Sequence, residues 1–234
     1  MDAVNRETAA MDAPKPASSR AVALQLAEAC PGDRERPELE AFVRAAFARS
    51  HAAQVQTFMP SLLGFRDGQQ RLRGVLGLRA AASAPLYLEH YLDQPVEHAI
   101  AGATGQPLRR TEIVEVGNLA AGNCRSAVSM IAQLPAYLLA RDFGWIVFTA
   151  TRTVRQILLG FGAPLVELAR ADGARVADGV DAWGGYYDND PRVFAGYLPE
   201  SWRLAAFTRG GRRGDPGCTI ASRRPKTPTS RAPS

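Results

Sequence analysis

The run from Glu112 to Thr151 constrains this chain most. It reads as a short β-type strand (EIVEV), a loop with two glycines and two asparagines (GNLAAGNCRS), a helix-like stretch, and an almost unbroken apolar strand, WIVFTAT. A helix between two strands returns the chain in its original direction, so the two strands are expected to be parallel, with a right-handed crossover. The loop then lies at the carboxyl end of the first strand and leads into a helix N-terminus, a place where α/β sheets take anionic ligands. This stretch therefore predicts where a site lies, without naming its reaction.

The rest of the chain reads as further strands and helices around that unit. AVALQLA (Ala21–Ala27) alternates as a strand. Pro37 then opens an amphipathic helix carrying Leu39, Phe42, Val43, Ala46 and Phe47 at helical spacing. Two strands are expected on either side of a turn at Arg66–Gln70, signalled by Asp67-Gly68, and Pro60 implies an edge or a bulge. A helical block broken at Pro95 precedes the central unit. Another helix follows it, with Val154, Ile157, Leu158 and Phe161 on one face, and then one or two strands. The predicted order is β, α, β, β, α, β, α, β, α, β, β.

The termini stand apart. Residues 1–20 carry few large apolar groups, and residues 208–234 are rich in Arg, Pro, Gly and Ser, so both are expected to be disordered flanks of a single folded domain at 21–207. The formal net charge of +5 belongs to the tail: from Thr208 onward, seven basic residues face only Asp215, and the remainder sums to −1. This distribution predicts no specific nucleic-acid face, and at most a weak contact between the basic tail and an anionic membrane. The three cysteines, Cys30, Cys124 and Cys218, lack C-x-x-C spacing and predict neither a zinc site nor a disulfide framework. With no apolar leader and no run long enough to span a bilayer, a cytoplasmic location is expected.

The element order is similar to that of GNAT-type N-acyltransferases and of the related acyl-homoserine-lactone synthases. Four ordered blocks resemble the thermostable hemolysin family more specifically: LYLEHYLDQPVEHAIAG (86–102), RRTEIVEVGNLAAG (109–122), WIVFTATRTVRQIL (145–158) and WGGYYDNDPRVFAGYL (183–198). The resemblance implies an α/β (α+β) fold with a mixed, mostly antiparallel central sheet, a splayed parallel strand pair and helices on both faces. It also implies an acyltransferase that moves an acyl group from a pantetheine thioester to a small-molecule amine. The donor would be acyl-CoA or acyl-phosphopantetheine on an acyl-carrier protein, with no tightly bound cofactor and no metal. A membrane-active haemolysin and a catalytically dead thioester-binding module are the alternatives.

That resemblance places the pantetheine arm between Ile113–Val116 and Trp145–Thr149, with Val116, Gly117, Asn118, Gly122, Asn123, Arg125, Ser126 and Thr149 as donor-binding residues. GNLAAGNCRS departs from the Q/R-x-x-G-x-G/A pyrophosphate loop of the acetyltransferases. Anion binding there would rest on glycine-permitted backbone turns and on Arg125 beside a helix N-terminus. Glu115 is the candidate general base, alternatively paired with Arg109 or Arg110, and Tyr187 the candidate proton donor to a leaving thiolate. Ser126 is the expected N-cap. If the loop cradles phosphate, one of its glycines is expected at positive φ.

Overall fold

The computed structural model describes residues 24–160, 162–176 and 181–199. The two flanks, 1–20 and 208–234, lie outside the described residues. Among the described residues, seven strands form one sheet: β1 (Gln25–Ala29), β2 (Ser61–Arg66), β3 (Leu72–Ala80), β4 (Ile113–Ala121), β5 (Trp145–Ala150), β6 (Leu165–Arg170) and β7 (Arg192–Tyr197). Their order across the sheet is β1-β2-β3-β4-β5-β7-β6. Every neighbouring pair is antiparallel except β4–β5. The helices are α1 (Arg36–His51), α2 (Val96–Thr104), α3 (Cys124–Leu139) and α4 (Arg152–Gly160). With the short 3-10 turns set aside, this is the order read from the sequence.

Alternation along the strands sorts the core onto two faces. Leu63, Phe65, Leu76, Leu78 and Val114 point toward α3 and pack with its Met130, Leu134 and Leu138. Phe148 and Phe194 meet Val154 and Leu158 of α4 on the same face. On the opposite face Leu62, Val75 and Ala120 pack against Leu39, Val43 and Ala46 of α1. Ile113, Val147, Val193 and Ala195 pack there against Val96 and Ile100 of α2 and Leu88 of a preceding 3-10 turn. Each fully buried Leu or Ile contributes about 1.5–3 kcal/mol of transfer free energy, so both helical layers are held mainly by these contacts.

The hairpin between β2 and β3 is built on Asp67. Its Oδ1 accepts the Gln69 and Arg71 N–H groups at 2.9 and 3.0 Å, and its Oδ2 accepts Arg73 Nε at 2.7 Å. The left-handed residue is Gln70 (φ 61°), so the Asp67-Gly68 signal locates the turn, while the positive φ falls two residues beyond the glycine. Pro60 stands just before β2. It therefore takes no N–H out of the sheet, and β2 lies inside the sheet between β1 and β3.

Candidate functional site

The site arises where β4 and β5 part. Their parallel ladder runs from Ile113 opposite Trp145 to Val116 opposite Phe148 and then ends, although β4 continues on β3 to Ala121 and β5 continues on β7 to Ala150. The cause on the β4 side is a bulge. Gly77 pairs with Gly117 and Val75 with Ala120, so β4 spends one more residue than β3 over this interval. Asn118 sits within it at φ 47°. The extra residue restores alternation, turning Leu119 toward α3 and Ala120 toward α1.

This corrects the sequence reading of Gly117–Ser126 as a loop. Gly117–Ala121 is strand, and only Gly122 and Asn123 connect it to α3. The positive φ belongs to Asn118, and neither Gly117 nor Gly122 has one. Asn118 is also held through its side chain. Its Oδ1 accepts the Met59 N–H at 2.8 Å and its Nδ2 donates to the Thr57 carbonyl, which fixes the 57–59 segment over the sheet. Met59 lies in the space left by two glycines: a Cβ on Gly77 would meet Met59 Cβ at 2.6 Å, and one on Gly117 would meet Met59 Cε at 2.5 Å.

Through the gap runs a cleft of ≈ 230 Å³ that reaches both faces of the sheet. On the α3–α4 side its walls are apolar: Ile131, Leu134 and Pro135 of α3, Phe148, and Val154 and Leu158 of α4. Pro135 has no N–H, so the helix lacks the bond from residue 135 to the Ile131 carbonyl on this wall. On the other face the walls are rings. Phe47, His51, Tyr87, Tyr91, Trp183 and Tyr186 surround the opening, with centroids 5.4 to 5.8 Å apart for His51–Tyr186, Tyr186–Trp183 and Trp183–Tyr87. His51 Nδ1 is buried and has no hydrogen-bond partner among the described residues, and burial lowers the ring's pKa.

Glu115 stands on this aromatic face, one position before the ladder ends, and is 3% exposed. Its two carboxylate oxygens accept the backbone N–H groups of Tyr87 (2.8 Å) and Leu88 (2.9 Å). Burial pushes its pKa up to about 7, against the opposing pull of those two donors and of Arg79. The expected ion pair with Arg109 or Arg110 is not made. Arg110 instead binds Glu89 and Glu97 at 2.6 and 2.7 Å, and Arg109 lies 3.5 Å from Glu112. The residue directly across from Glu115 is Arg79 of β3.

Of the sequence candidates, Glu115, Val116, Gly117, Asn118 and Thr149 line the cleft, whereas Gly122, Asn123, Arg125, Ser126 and Tyr187 do not. Asn123, not Ser126, caps α3: its Oδ1 accepts the Ser126 N–H at 2.9 Å, and Ser126 is buried. Arg125 is exposed at the helix start. Cys124, beside it, is disulfide-bonded, so an odd cysteine count does not exclude a bridge. Tyr187 lies behind the wall, its hydroxyl 2.8 Å from that of Tyr91. Tyr91 and Tyr186 both line the cleft, and their phenols are held above their usual pKa by burial. Arg79, Phe47, Met59, Tyr87 and Tyr91 were not read as site residues from the sequence. The alternation of Val75, Gly77 and Arg79 on one strand face was a usable signal for Arg79 alone. Among the described residues no group of three or more His, Cys, Asp or Glu is placed to hold a metal ion.

A mostly antiparallel sheet, one splayed parallel pair, helices on both faces and a cleft through the splay define a GNAT-like fold. Solved structures share it. BjaI, a CoA-dependent acyl-homoserine lactone synthase solved with MTA, is similar with a TM-score of 0.54 at 13% identity, over 83% of this chain and 97% of that one. The acyl-homoserine lactone synthase LasI gives 0.53 at 12% identity over 83% and 98%. FeeM, an N-acyl amino acid synthase from uncultured soil microbes, gives 0.52 at 19% over 80% and 99%. No curated protein matches the chain. The family model described as thermostable hemolysin matches residues 29–202, and the chain belongs to that family.

Proposed function

We propose that the chain transfers an acyl group from a pantetheine thioester to an amine. The observation that carries this reading is the parting of β4 and β5 after Val116 and Phe148, with an apolar cleft on one face and a buried carboxyl on the other. Beyond the ladder the facing edges of β4 and β5 no longer bond to each other, and their polar backbone groups are available to an extended amide-containing arm. The pantetheine arm lies between those edges, along Val116, Gly117 and Thr149. Its acyl chain lies against α3 and α4. Arg125, with Gly122 and Asn123 beside it at the start of α3, meets the donor's phosphate. The relatives support such a donor, since BjaI and MesI are described as CoA-dependent acyl-homoserine lactone synthases.

In the reaction the amine nitrogen attacks the thioester carbonyl and a C–N bond forms. Glu115 takes the proton the nitrogen loses, and collapse of the tetrahedral centre breaks the C–S bond. The proton taken by Glu115 passes to the leaving thiolate, and Tyr91 and Tyr186, kept as neutral phenols by their raised pKa values, act as hydrogen-bond donors beside it. Tyr187 acts on Tyr91 through their hydroxyl contact. A carboxyl with a pKa near 7 is half ionised at neutral pH, which suits a general base.

The test is to incubate purified protein with octanoyl-CoA, or with octanoyl-carrier protein, and a mixture of amines, recording thiol release and amide mass. Retention of a thioester seen by native mass spectrometry would agree with the reading. No binding of either donor by a folded protein would overturn it. Lysis of erythrocytes by pure protein without any thioester would instead favour a membrane-active role, the one the family's description suggests. No helix among the described residues is long and apolar enough to cross a membrane.

A further inference from the structure

The acceptor side carries chemistry that an amine alone does not require. Arg79 and Glu115 are direct cross-strand partners on the aromatic face, and both line the cleft. At that spacing, opposite charges usually pair with each other. These two do not: Arg79 donates from its guanidinium to the Pro85 carbonyl at 3.1 Å, and Glu115 is taken up by the Tyr87 and Leu88 N–H groups. Each keeps polar capacity beyond the bonds it makes, since a guanidinium has five donors and a carboxylate about four acceptor positions. A cation and an acid thus flank one opening without neutralising each other directly.

We infer that this opening binds an α-amino acid with an aromatic or otherwise apolar side chain. Its carboxylate is bound by Arg79, its amine lies at Glu115, and its side chain rests among Tyr87, Trp183 and Tyr186. An arginine fork matches a carboxylate with two parallel bonds. The ring walls accept an apolar body and disfavour a charged or strongly hydrated side chain, which would lose its water there. This deepens the acyltransferase reading and rests on it for the amine's role, but its binding claim can be tested without turnover.

The experiment is calorimetric titration of the full chain with phenylalanine, with phenethylamine, which lacks the carboxylate, with hydrocinnamate, which lacks the amine, and with glycine, which lacks the side chain. Phenylalanine is expected to bind at least tenfold more tightly than each of the others. Arg79→Gln is expected to erase the preference over phenethylamine, and Arg79→Lys to restore part of it. Phenethylamine binding as well as phenylalanine would overturn the assignment of Arg79, and glycine binding as well would overturn that of the aromatic wall. The wild-type series decides the matter even if the variants fail to fold. Phenylalanine binding with no thiol release from either donor would sustain the acceptor class and count against acyl transfer. Acyl transfer to amines with no preference for amino acids would do the reverse.

Discussion

Val116 and Phe148 are the last residues of β4 and β5 to face each other across the parallel ladder. Everything proposed for the donor depends on that stop. Strands rarely separate while both continue, because each leaves polar backbone groups without partners. Here β4 remains bonded to β3 and β5 to β7, so the sheet as a whole stays intact while its middle opens. The bulge at Asn118 and the seat of Met59 hold one bank of the opening.

Two glycines under Met59 predict unequal costs. At Gly77 an added methyl meets Met59 Cβ, which cannot move without its backbone, and that backbone is bound to Asn118. At Gly117 the added methyl meets Met59 Cε, the free end of a flexible side chain. Gly77→Ala is expected to destabilise by about 2–3 kcal/mol and Gly117→Ala by about 1 kcal/mol or less. Urea unfolding of both variants checks the order; equal losses would show that Met59 is not the rigid neighbour.

The wall that carries Met59 is also tied down by a buried cation. Arg36 is 7% exposed and donates to the carbonyls of Ala29, Met59 and Pro60 at 3.2, 2.7 and 3.0 Å, with Glu40 at 2.9 Å as its counter-ion. Arg36→Met retains length and apolar contact but leaves three carbonyls without that donor and Glu40 with Arg44, 3.3 Å away, as its remaining charge partner. The expected loss is about 3–5 kcal/mol. Because Thr57, Phe58 and Met59 line the cleft, proteolysis or hydrogen exchange should loosen there first; uniform loosening would show that Arg36 acts only on global stability.

Much of this fold was legible from periodicity. The helix faces around Leu39 and Val43, the apolar β5, and the break at Pro95 all follow local rules, and each has its expected type in the structure. What was not legible depends on register. GNLAA looks like a loop because Gly and Asn usually mark turns, yet here Gly117 makes room for Met59 and Asn118 absorbs a bulge, two demands set by residues some sixty positions away. Arg110 beside Glu112 and Glu115 suggested a local ion pair, but strand alternation and the 3-10 turn send it to Glu89 and Glu97. For the same reason Tyr187 looked like a donor by its place in a tyrosine pair, although Tyr186 is the member that lines the cleft.

Thr149 is the first residue of β5 beyond the parallel ladder, and it lines the cleft. Thr149→Val keeps shape and β-branching and removes one hydroxyl. If that hydroxyl binds the pantetheine arm, KM for the thioester should rise about threefold to tenfold, equivalent to about 0.6–1.4 kcal/mol, with kcat little changed. Donor-concentration series at saturating amine check this. A fall in kcat at constant KM would instead move Thr149 to the reacting centre.

Glu115 allows the reaction and the stability to be read on one pH axis. Its carboxyl ionises near pH 7 in the folded chain and has an ordinary value of 4.5. Between those values the folded state holds a proton that the unfolded state has released, so stability conferred by this group is greatest below about pH 4.5 and declines as pH rises to about 7. The displacement corresponds to about 3 kcal/mol. Glu115→Gln cannot ionise and should remove that slope, so the wild-type chain should lose stability relative to the variant across this interval, measured by urea unfolding at a series of pH values. The same ionisation should govern activity in the opposite sense. Wild-type kcat/KM is expected to rise through pH 7 as the carboxylate forms, and Glu115→Gln to lower it about 100-fold or more while flattening that limb. Loss of the stability slope without loss of the kinetic limb would make Glu115 a tether for Tyr87 and Leu88 and leave the general base to another group.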